Sequence, residues 1–335
     1  MITAQLAAIK PAEIRKPSGF EIPPHSGIDA LREGYFVREE ISVAGEAPKD
    51  FLRIYEYGRG RKSQPNGWPA HIAKVGQKFY PNESVTEQLL TRIGQLLKLN
   101  MAKSRLMWVR GQLRFLSEYF LRRDESLIHG AEIFAGYLAD DKFVMQVEAD
   151  KRSNEIFTFR VVEEAMRSRF PAEADAILMD FVRLIGFDAV VGNNDRHFFN
   201  WGVITQISGK RPPVFSPIYD TARALFWNTD EAGLTKFDHP SNFEQHIRKY
   251  AQQSYPKTGW DGLERPNHFE LIRKIFEERP LYREVLSELN VQTLPNQAER
   301  LISEEFDHLF SPLRKKFILS CLRERLGNFA KIVVS

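Results

Sequence analysis

Alternation of apolar and polar residues predicts two pairs of strands in the first third of the chain. The runs FLRIYEYG (51–58) and AHIAKVG (70–76) alternate as strands do, and the loop GRGRKSQPNG (58–67) between them is rich in glycine, proline and polar residues. Two more strand-like runs follow, SRLMWVRG (104–111) and LRFLSEYFL (113–121). The sequence therefore predicts a strand-rich N-terminal part.

The first 50 residues show no regular period and carry prolines at 11, 17, 23, 24 and 48. Such a stretch is typical of an extended arm with short strands. We expect no functional residue in it.

Apolar residues recur at helical spacing in the rest of the chain. After Pro81 they form one helix face, made by Val85, Leu89, Ile93, Leu96 and Leu97. Helices are also predicted over 125–138, over 155–191 with a break at Phe170-Pro171, over about 268–289, and over about 297–329 with an interruption at Pro312. The change of pattern predicts an α+β chain with a small strand-rich lobe (1–125) and a larger helical lobe (126–335).

Two short strands are predicted within the helical part. GVITQI (202–207) and PVFSPIY (213–219) flank the turn signal SGKRP. If they pair as a hairpin, its two ends meet, and residues near 200 lie beside residues near 220.

Composition narrows the class of protein. A chain of 335 residues, 43% hydrophobic and 27% charged, is long enough for one or two globular domains. A single cysteine, Cys321, argues against a disulfide framework or a multi-cysteine metal site and favours a reducing, cytoplasmic setting. Charged residues interrupt the apolar N-terminus, and no run approaches the roughly 20 apolar residues that span a bilayer. We expect neither secretion nor membrane insertion.

The net charge of +3 is too small to indicate a nucleic-acid binder. Basic residues do cluster in 311–335, where only Glu324 is acidic: Arg314, Lys315, Lys316, Arg323, Arg325 and Lys331. A solvated helix face is the simpler interpretation, and a phosphate-binding patch is the alternative.

Candidate chemistry is concentrated in GNNDRHFFNWGV (192–203). Asp195 and Asn200 lie five positions apart at the end of an apolar run, and the predicted hairpin brings Asp220 to them. Phosphoryl transfer needs a carboxylate that orients the attacking hydroxyl and oxygen ligands that hold Mg²⁺. We predict that Asp195 is the base and that Asn200 and Asp220 are the metal ligands. The alternative is a polar turn, which accounts for Asn193 to Asp195 only.

Lys74 and Glu87 suit the same reaction. Lys74 ends a predicted strand, and Glu87 lies on the helix that follows, which is how kinases aim an ammonium group at nucleotide phosphates. A local alternative is a capping box, Ser84-x-x-Glu87, in which Glu87 bonds the start of its own helix.

The remaining candidates have weaker support. Gly58, Gly60 and Gly67 allow backbone amides to approach phosphates, but Ser63 replaces the third glycine of G-x-G-x-x-G and a plain hairpin loop is simpler. His197 is a nucleotide-site candidate or a residue that holds the loop. For Arg196 a surface salt bridge is the simplest interpretation.

The motifs DRHFFNWG (195–202) and SPIYD (216–220) resemble the catalytic core of HipA-like serine/threonine kinases, the toxins of toxin–antitoxin pairs, and the short chain is similar to the HipT form. The resemblance implies a bilobal kinase-like fold, ATP and Mg²⁺ as cofactors, and transfer to a protein serine. It assigns the catalytic base to Asp195, magnesium binding to Asn200 and Asp220, and ATP-phosphate binding to Lys74.

The resemblance also implies partners. Family targets are often aminoacyl-tRNA synthetases, a small DNA-binding antitoxin commonly inhibits the kinase, and a loop serine is often autophosphorylated. Ser63 is the serine available in the loop before Lys74. Two alternatives stay open: a lipid or small-molecule kinase, since phosphatidylinositol kinases are similar in using Asp-Arg-His-x-x-Asn, and a silent kinase-like module that binds DNA through the basic C-terminus.

Overall fold

A computed structural model of the chain describes residues 9–23, 26–41, 47–289 and 291–334. Strands dominate the first part. In chain order they are β1 (Lys16–Pro17), β2 (Phe36–Glu39), β3 (Lys49–Ile54), β4 (Ala70–Lys74), β5 (Lys78–Tyr80), β6 (Ser104–Val109), β7 (Gln112–Glu118), β8 (Glu125–His129), β9 (Gly202–Gln206) and β10 (Val214–Phe215).

Helices dominate the second part. They are α1 (Asn82–Leu96), α2 (Gly130–Leu138), α3 (Asp141–Ala149), α4 (Ser153–Ile156), α5 (Phe159–Arg169), α6 (Ala174–Val191), α7 (Glu231–Phe237), α8 (Phe243–Gln252), α9 (His268–Glu278), α10 (Leu281–Ser287), α11 (Leu294–Glu305) and α12 (Pro312–Val334). The break at Phe170 and the helix start at Pro312 are as predicted, because proline is accepted in the first turn of a helix and not in its interior.

Five antiparallel strands form the main sheet, in the order β2-β3-β4-β7-β6. Lys49 pairs with Lys74 across β3 and β4, and Arg53 pairs with Ala70 at the other end. The helix α1 packs against β6 and β7. This register places the last residue of β4, Lys74, at the end of the hairpin opposite to the loop 55–69.

A second sheet lies at the start of the helical part. It has the order β10-β9-β8, and Val203 of β9 pairs with Phe215 of β10, so the predicted hairpin is confirmed. The residues ESLIH, expected to be helical, instead form β8, which pairs with β9 although 73 positions separate His129 from its partner Gly202. Pairing with a distant strand decided the conformation of these residues.

One large apolar core joins the C-terminal helices to the inner face of α1, including Val85, Leu89 and Ile93. A smaller core lies on the main sheet and includes Leu52 and Leu116. No helix within the described ranges is long and apolar enough to cross a membrane.

Candidate active site

Lys74 lies between two carboxylates at the junction of the main sheet and the helices. Its Nζ is 2.7 Å from Glu87 Oε1 on α1 and 3.0 Å from Asp220 Oδ1, which follows the β9–β10 hairpin. The lysine is 8% exposed and the glutamate 3%. A strand, the helix that follows it and a loop 146 positions away therefore converge on one ammonium group.

The contact between Glu87 and Lys74 decides between the two interpretations of Glu87. The helix begins at Asn82 after Pro81, so Glu87 lies beyond the first turn, and Ser84 Oγ accepts a hydrogen bond from Gly76 N at 3.1 Å. The capping-box alternative is wrong. A Cβ on Gly76 would lie 2.6 Å from Glu83 Cβ, so glycine is required where the strand end meets the helix.

Opposite charges set the protonation states at this junction. Burial alone would lower the pKa of Lys74, but the carboxylates of Asp220 and Glu87 outweigh it and hold the pKa above its usual value. Burial would likewise raise the pKa of Asp220, but Lys74 and Lys49 hold that pKa well below its usual range. The aspartate is therefore ionised and able to bind a cation.

Lys49 is a second lysine at this junction, in the stretch where no functional residue was expected. It is the cross-strand partner of Lys74. Burial lowers the pKa of Lys49, while the nearby Asp220 carboxylate raises it. No local pattern predicts this position, because only strand register brings Lys49 to the site.

Asp220 has a strained backbone. Its φ of +54° lies in the left-handed region, which residues with side chains seldom adopt. Such conformations are concentrated at functional sites, where the surrounding structure holds them.

The loop that contains Asp195 and Asn200 follows α6 and is held by its own polar side chains. Gly192 ends the helix with a φ of +80°. Asn193 Oδ1 accepts from Asp195 N at 3.2 Å, and Asn200 Nδ2 donates to Asp195 O at 2.9 Å. The Asn200 amide therefore directs its nitrogen into the loop and leaves its oxygen as the atom for a metal.

Arg196 is buried beneath this loop, which contradicts the interpretation as a surface salt bridge. It is 4% exposed and pairs with Asp188 of α6. Its Nη1 also donates to the main-chain oxygens of Asn200 at 2.9 Å and Tyr219 at 2.6 Å. One guanidinium nitrogen thus ties the loop of Asn200 to the residue preceding Asp220.

Asp195 faces Arg223, a residue that the sequence analysis missed. Arg223 Nε lies 3.0 Å from Asp195 Oδ2, and each side chain is less than one third exposed. Burial raises the pKa of Asp195, while Arg223 and His197 act to lower it. The position of Arg223, three residues after Asp220, is the signal that could have pointed to it.

His197 bonds within its own loop. Its Nδ1 accepts from Phe199 N at 3.3 Å, and its ring lies edge-on to Phe199. This contact fits a residue that holds the loop. Its assignment to the nucleotide site stays a prediction.

The glycine-containing loop lies away from these residues. Gly58, Gly60 and Ser63 belong to the connection at the Arg53–Ala70 end of the hairpin, whereas Lys74 is at the other end. Four residues of strand separate the two ends by about 13 Å. The structure therefore does not bring Gly58 and Gly60 to Lys74, and they are hairpin-loop residues as in the simpler interpretation.

Two basic residues of α12 are buried, so its basic side is only partly a solvated face. Arg314 and Arg325 are both 0% exposed. Arg325 donates from Nε to Ala189 O at 2.8 Å and from Nη1 to Ala251 O at 2.6 Å. It thereby places a cation at the C-terminal ends of α6 and α8, where the helix dipoles favour positive charge.

A family model for the HipA-like C-terminal domain matches residues 41–289. The chain belongs to this family. Its fold is similar to that of the Helicobacter pylori proinflammatory kinase CtkA, with a TM-score of 0.67 and 15% identity over 86% of this chain and 94% of that chain. The predicted kinase-like fold, strand-rich first and helical later, is confirmed.

HipA of Shewanella oneidensis MR-1, solved with HipB and operator DNA, is a second structural neighbour. It matches with a TM-score of 0.53 and 16% identity over 88% of this chain. This chain spans only 65% of the length of that HipA chain. A comparison with curated proteins gave no significant match.

The HipA-like site fits a magnesium ion that is bound together with a nucleotide. Among the described residues, no group of three or more His, Cys, Asp or Glu could hold a metal alone. Mg²⁺ commonly takes one or two carboxylates and completes its shell with phosphate and water oxygens. The ionised Asp220 and the available oxygen of Asn200 meet that requirement.

Proposed function

We propose that the protein is an ATP- and Mg²⁺-dependent serine/threonine protein kinase of the HipA-like type. The observation that carries the proposal is the position of the Lys74 ammonium between Glu87 and Asp220, at 2.7 and 3.0 Å. A kinase needs this lysine, this helix glutamate and this metal-binding aspartate in one place. Bound MgATP supplies the phosphoryl group and the charge that neutralises its oxygens.

The roles of the binding residues follow from their contacts. Lys74 binds the nucleotide phosphates, and Glu87 holds its ammonium in position. Asp220 and Asn200 offer oxygens to Mg²⁺, a hard cation that prefers them. Arg196 keeps these two ligand residues in register through the main-chain oxygens of Asn200 and Tyr219.

Asp195 is the group that acts on the acceptor. Its carboxylate accepts a hydrogen bond from the substrate hydroxyl, orients it and takes its proton as the oxygen attacks. The raised pKa of Asp195 makes it a better base than a solvated aspartate.

The substrate and regulator are inferred from the family. We propose a serine of a cytoplasmic protein as acceptor, with an aminoacyl-tRNA synthetase as the first candidate to test. The Shewanella oneidensis HipA structure contains HipB and operator DNA, and by analogy we propose a small DNA-binding antitoxin as partner of this chain. Any contact with DNA would then be made mainly by that partner.

Ser63 remains the candidate for autophosphorylation. It is exposed in the loop between β3 and β4. Its position far along the hairpin from Lys74 favours modification by a second molecule over modification within one molecule. Mass spectrometry of wild type and S63A after incubation with ATP tests this, and label retained by S63A would exclude Ser63 as the main site.

The decisive experiment incubates purified protein with labelled ATP and Mg²⁺, alone and with a cytoplasmic extract. We expect labelled protein with the wild type and none with D195N or D220N. The matched control is R211Q, which breaks a half-exposed ion pair with Asp124 on the second hairpin and should keep wild-type activity. Label confined to lipid would support the lipid-kinase alternative, and failure to bind nucleotide would support the silent module.

A further inference from the structure

Arg314 is a buried arginine of α12 that holds the loop following Asp220. It is 0% exposed. Its Nε donates to Glu231 Oε1 of α7 at 2.8 Å, its Nη1 to Phe226 O at 3.0 Å and its Nη2 to Thr229 O at 2.5 Å. Phe226 and Thr229 belong to the stretch of chain that leaves the proposed metal ligand. The guanidinium therefore fixes the path of that stretch through its main-chain oxygens.

The same guanidinium reaches α1, the helix that carries Glu87. Asn82 begins this helix and is 0% exposed. Its amide satisfies its neighbours only when the oxygen faces Arg314, and that oxygen then lies 2.8 Å from Nη2 and 3.2 Å from Nε. Glu87 follows Asn82 by five positions, or about 7.5 Å along the helix axis. One side chain thus joins the start of α1 to the loop after Asp220.

The loop after Asp220 has a backbone that needs such support. Leu225 and Phe226 have φ values of +52° and +62°, in the left-handed region that residues with side chains seldom adopt. Phe226 N donates to Tyr250 Oη at 2.7 Å, and Phe226 O accepts from Arg314. Strained conformations persist only where the surrounding structure fixes them. Without the arginine, we expect this loop to relax.

The N-terminal arm strengthens the same junction. Ser18 N donates at 2.8 Å to the main-chain oxygen of Tyr80, two residues before Asn82. On its other side, Ser18 O accepts from Glu231 N at 2.9 Å. Glu231 is also the carboxylate that pairs with Arg314. The arm therefore ties the start of α1 to the residue of α7 that the arginine binds.

The position of α1 matters to the site because Lys74 is held from both sides of this junction. Glu87 of α1 lies 2.7 Å from its ammonium nitrogen, and Asp220 lies 3.0 Å from it. If α1 moved away from the loop by about 1 Å, the first of these contacts would exceed hydrogen-bond range. A misplacement of about that size can slow a reaction about a hundredfold.

We propose that Arg314 is a positioning residue that sets the distance between α1 and the loop after Asp220. It thereby brings the phosphate-binding Lys74 and the metal-binding Asp220 to one nucleotide. The proposal rests on the kinase function proposed above. In this role Arg314 acts from behind the site, through Asn82 on one side and through the main-chain oxygens of the loop on the other.

The test measures how strongly Mg²⁺ tightens the binding of ADP, which requires Lys74 and Asp220 to act on the same nucleotide. Calorimetry gives the ADP affinity of wild type, R314M, N82A and the control R279Q, with and without Mg²⁺. Single-turnover phosphorylation gives the transfer rate, and urea unfolding gives the stability. R279Q breaks the ion pair with the buried Glu163, so it lowers stability within the helical part and away from the junction.

We expect R314M and N82A to bind ADP without Mg²⁺ within about threefold of wild type, because Lys74 is untouched. The tightening by Mg²⁺ should be at least about tenfold smaller in both, and transfer by R314M should fall about a hundredfold. N82A keeps the other contacts of Arg314, so it should lose less stability than R314M. R279Q should lose stability and keep the tightening and transfer rate of wild type.

Full tightening in R314M or in N82A would overturn the role of Arg314 and leave the kinase proposal standing. Equal loss of tightening in R279Q would also overturn it, because general destabilisation would then account for the effect. A wild type that transfers no phosphate and whose ADP binding does not respond to Mg²⁺ contradicts the kinase function itself. If R314M does not unfold cooperatively, N82A decides alone.

Discussion

Asp188 and Arg196 form a buried, doubly hydrogen-bonded ion pair under the loop that contains the proposed base. Arg196 Nε lies 2.9 Å from Asp188 Oδ2, and Nη2 lies 3.0 Å from Oδ1. Asn193 Nδ2 donates to the same Oδ1 at 3.0 Å. The carboxylate thus joins the end of a helix to two residues of the loop.

Removing either partner of this pair should destabilise the protein strongly. R196M leaves the buried Asp188 carboxylate without its cationic partner, and the loss of one partner of a buried pair costs about 3–5 kcal/mol. The free energy of unfolding in urea measures this. The double variant D188N/R196M is the control, because it leaves no buried charge and should lose less than the sum of the single variants. Strict additivity would show that the two residues do not act as a pair.

Lys74 and its partner Glu87 should contribute unequally to the stability of the protein. K74M removes the cation that contacts both Glu87 and Asp220, whereas E87Q leaves Lys74 paired with Asp220. We expect K74M to cost about 3–5 kcal/mol of stability and E87Q less than half of that.

Nucleotide affinity gives a second measurement of the same variants. K74M should weaken MgADP binding at least about tenfold, or 1.4 kcal/mol, and E87Q should weaken it less. Calorimetry measures the MgADP affinity of both variants, and urea unfolding measures their stability. A larger loss in E87Q than in K74M on either measurement would contradict the position given to Lys74.

Local patterns predicted the pieces of the site but not all of its members. The hairpin that carries Asp220, the helix that carries Glu87 and the loop of Asp195 each leave a signal over a few residues of sequence. Lys49 leaves none, because strand register alone brings it to the site. Arg223 leaves only its position three residues after Asp220, and the fold of the loop then brings it to Asp195.

The sequence-based predictions are wrong for three arginines that the structure buries. Arg196, Arg314 and Arg325 were placed at the surface because charged side chains are seldom buried. Their acceptors include main-chain oxygens of distant elements, such as Tyr219, Phe226 and Ala251. Every residue has a main-chain oxygen, so the sequence does not show which of these oxygens will accept from an arginine. Neither the partner of the arginine nor its burial can therefore be inferred from the sequence.

Glu83 should make stability depend on pH. Burial raises the pKa of Glu83 to about 7 in the folded protein. The folded state therefore holds this proton over a range where the unfolded state has lost it, and stability falls as the pH rises from 5 to 8. E83Q removes the effect: it should match wild type near pH 5 and exceed it near pH 8 by up to roughly 3 kcal/mol.

Urea unfolding at both pH values measures this difference. E277Q is the control, because Glu277 forms an exposed pair with Lys274 and its loss should be small and similar at both pH values. A wild-type protein that is more stable at pH 8 than at pH 5, with E83Q following it, would show that Glu83 is not responsible.

Arg325 should be needed for the order of the loop that follows α6. R325M leaves the oxygens of Ala189 and Ala251 buried without their donor, at a cost of about 1–3 kcal/mol for each group. Amide hydrogen exchange over residues 192–200 should become faster in R325M, and its free energy of unfolding in urea should fall. K331M changes an exposed lysine of the same helix and should stay within about 0.5 kcal/mol of wild type. Unchanged exchange in R325M would show that Arg325 of α12 is not needed for the order of the loop.

The contact between Lys74 and Asp220 also bears on events during synthesis, since 146 positions separate the two residues. At about 5–20 residues per second, a ribosome needs roughly 7 to 30 s to reach Asp220 after it has passed Lys74. During that interval the first sheet can fold, but Lys74 does not yet have its partner Asp220. The growing chain therefore carries no complete site until synthesis has passed β10 and reached Asp220.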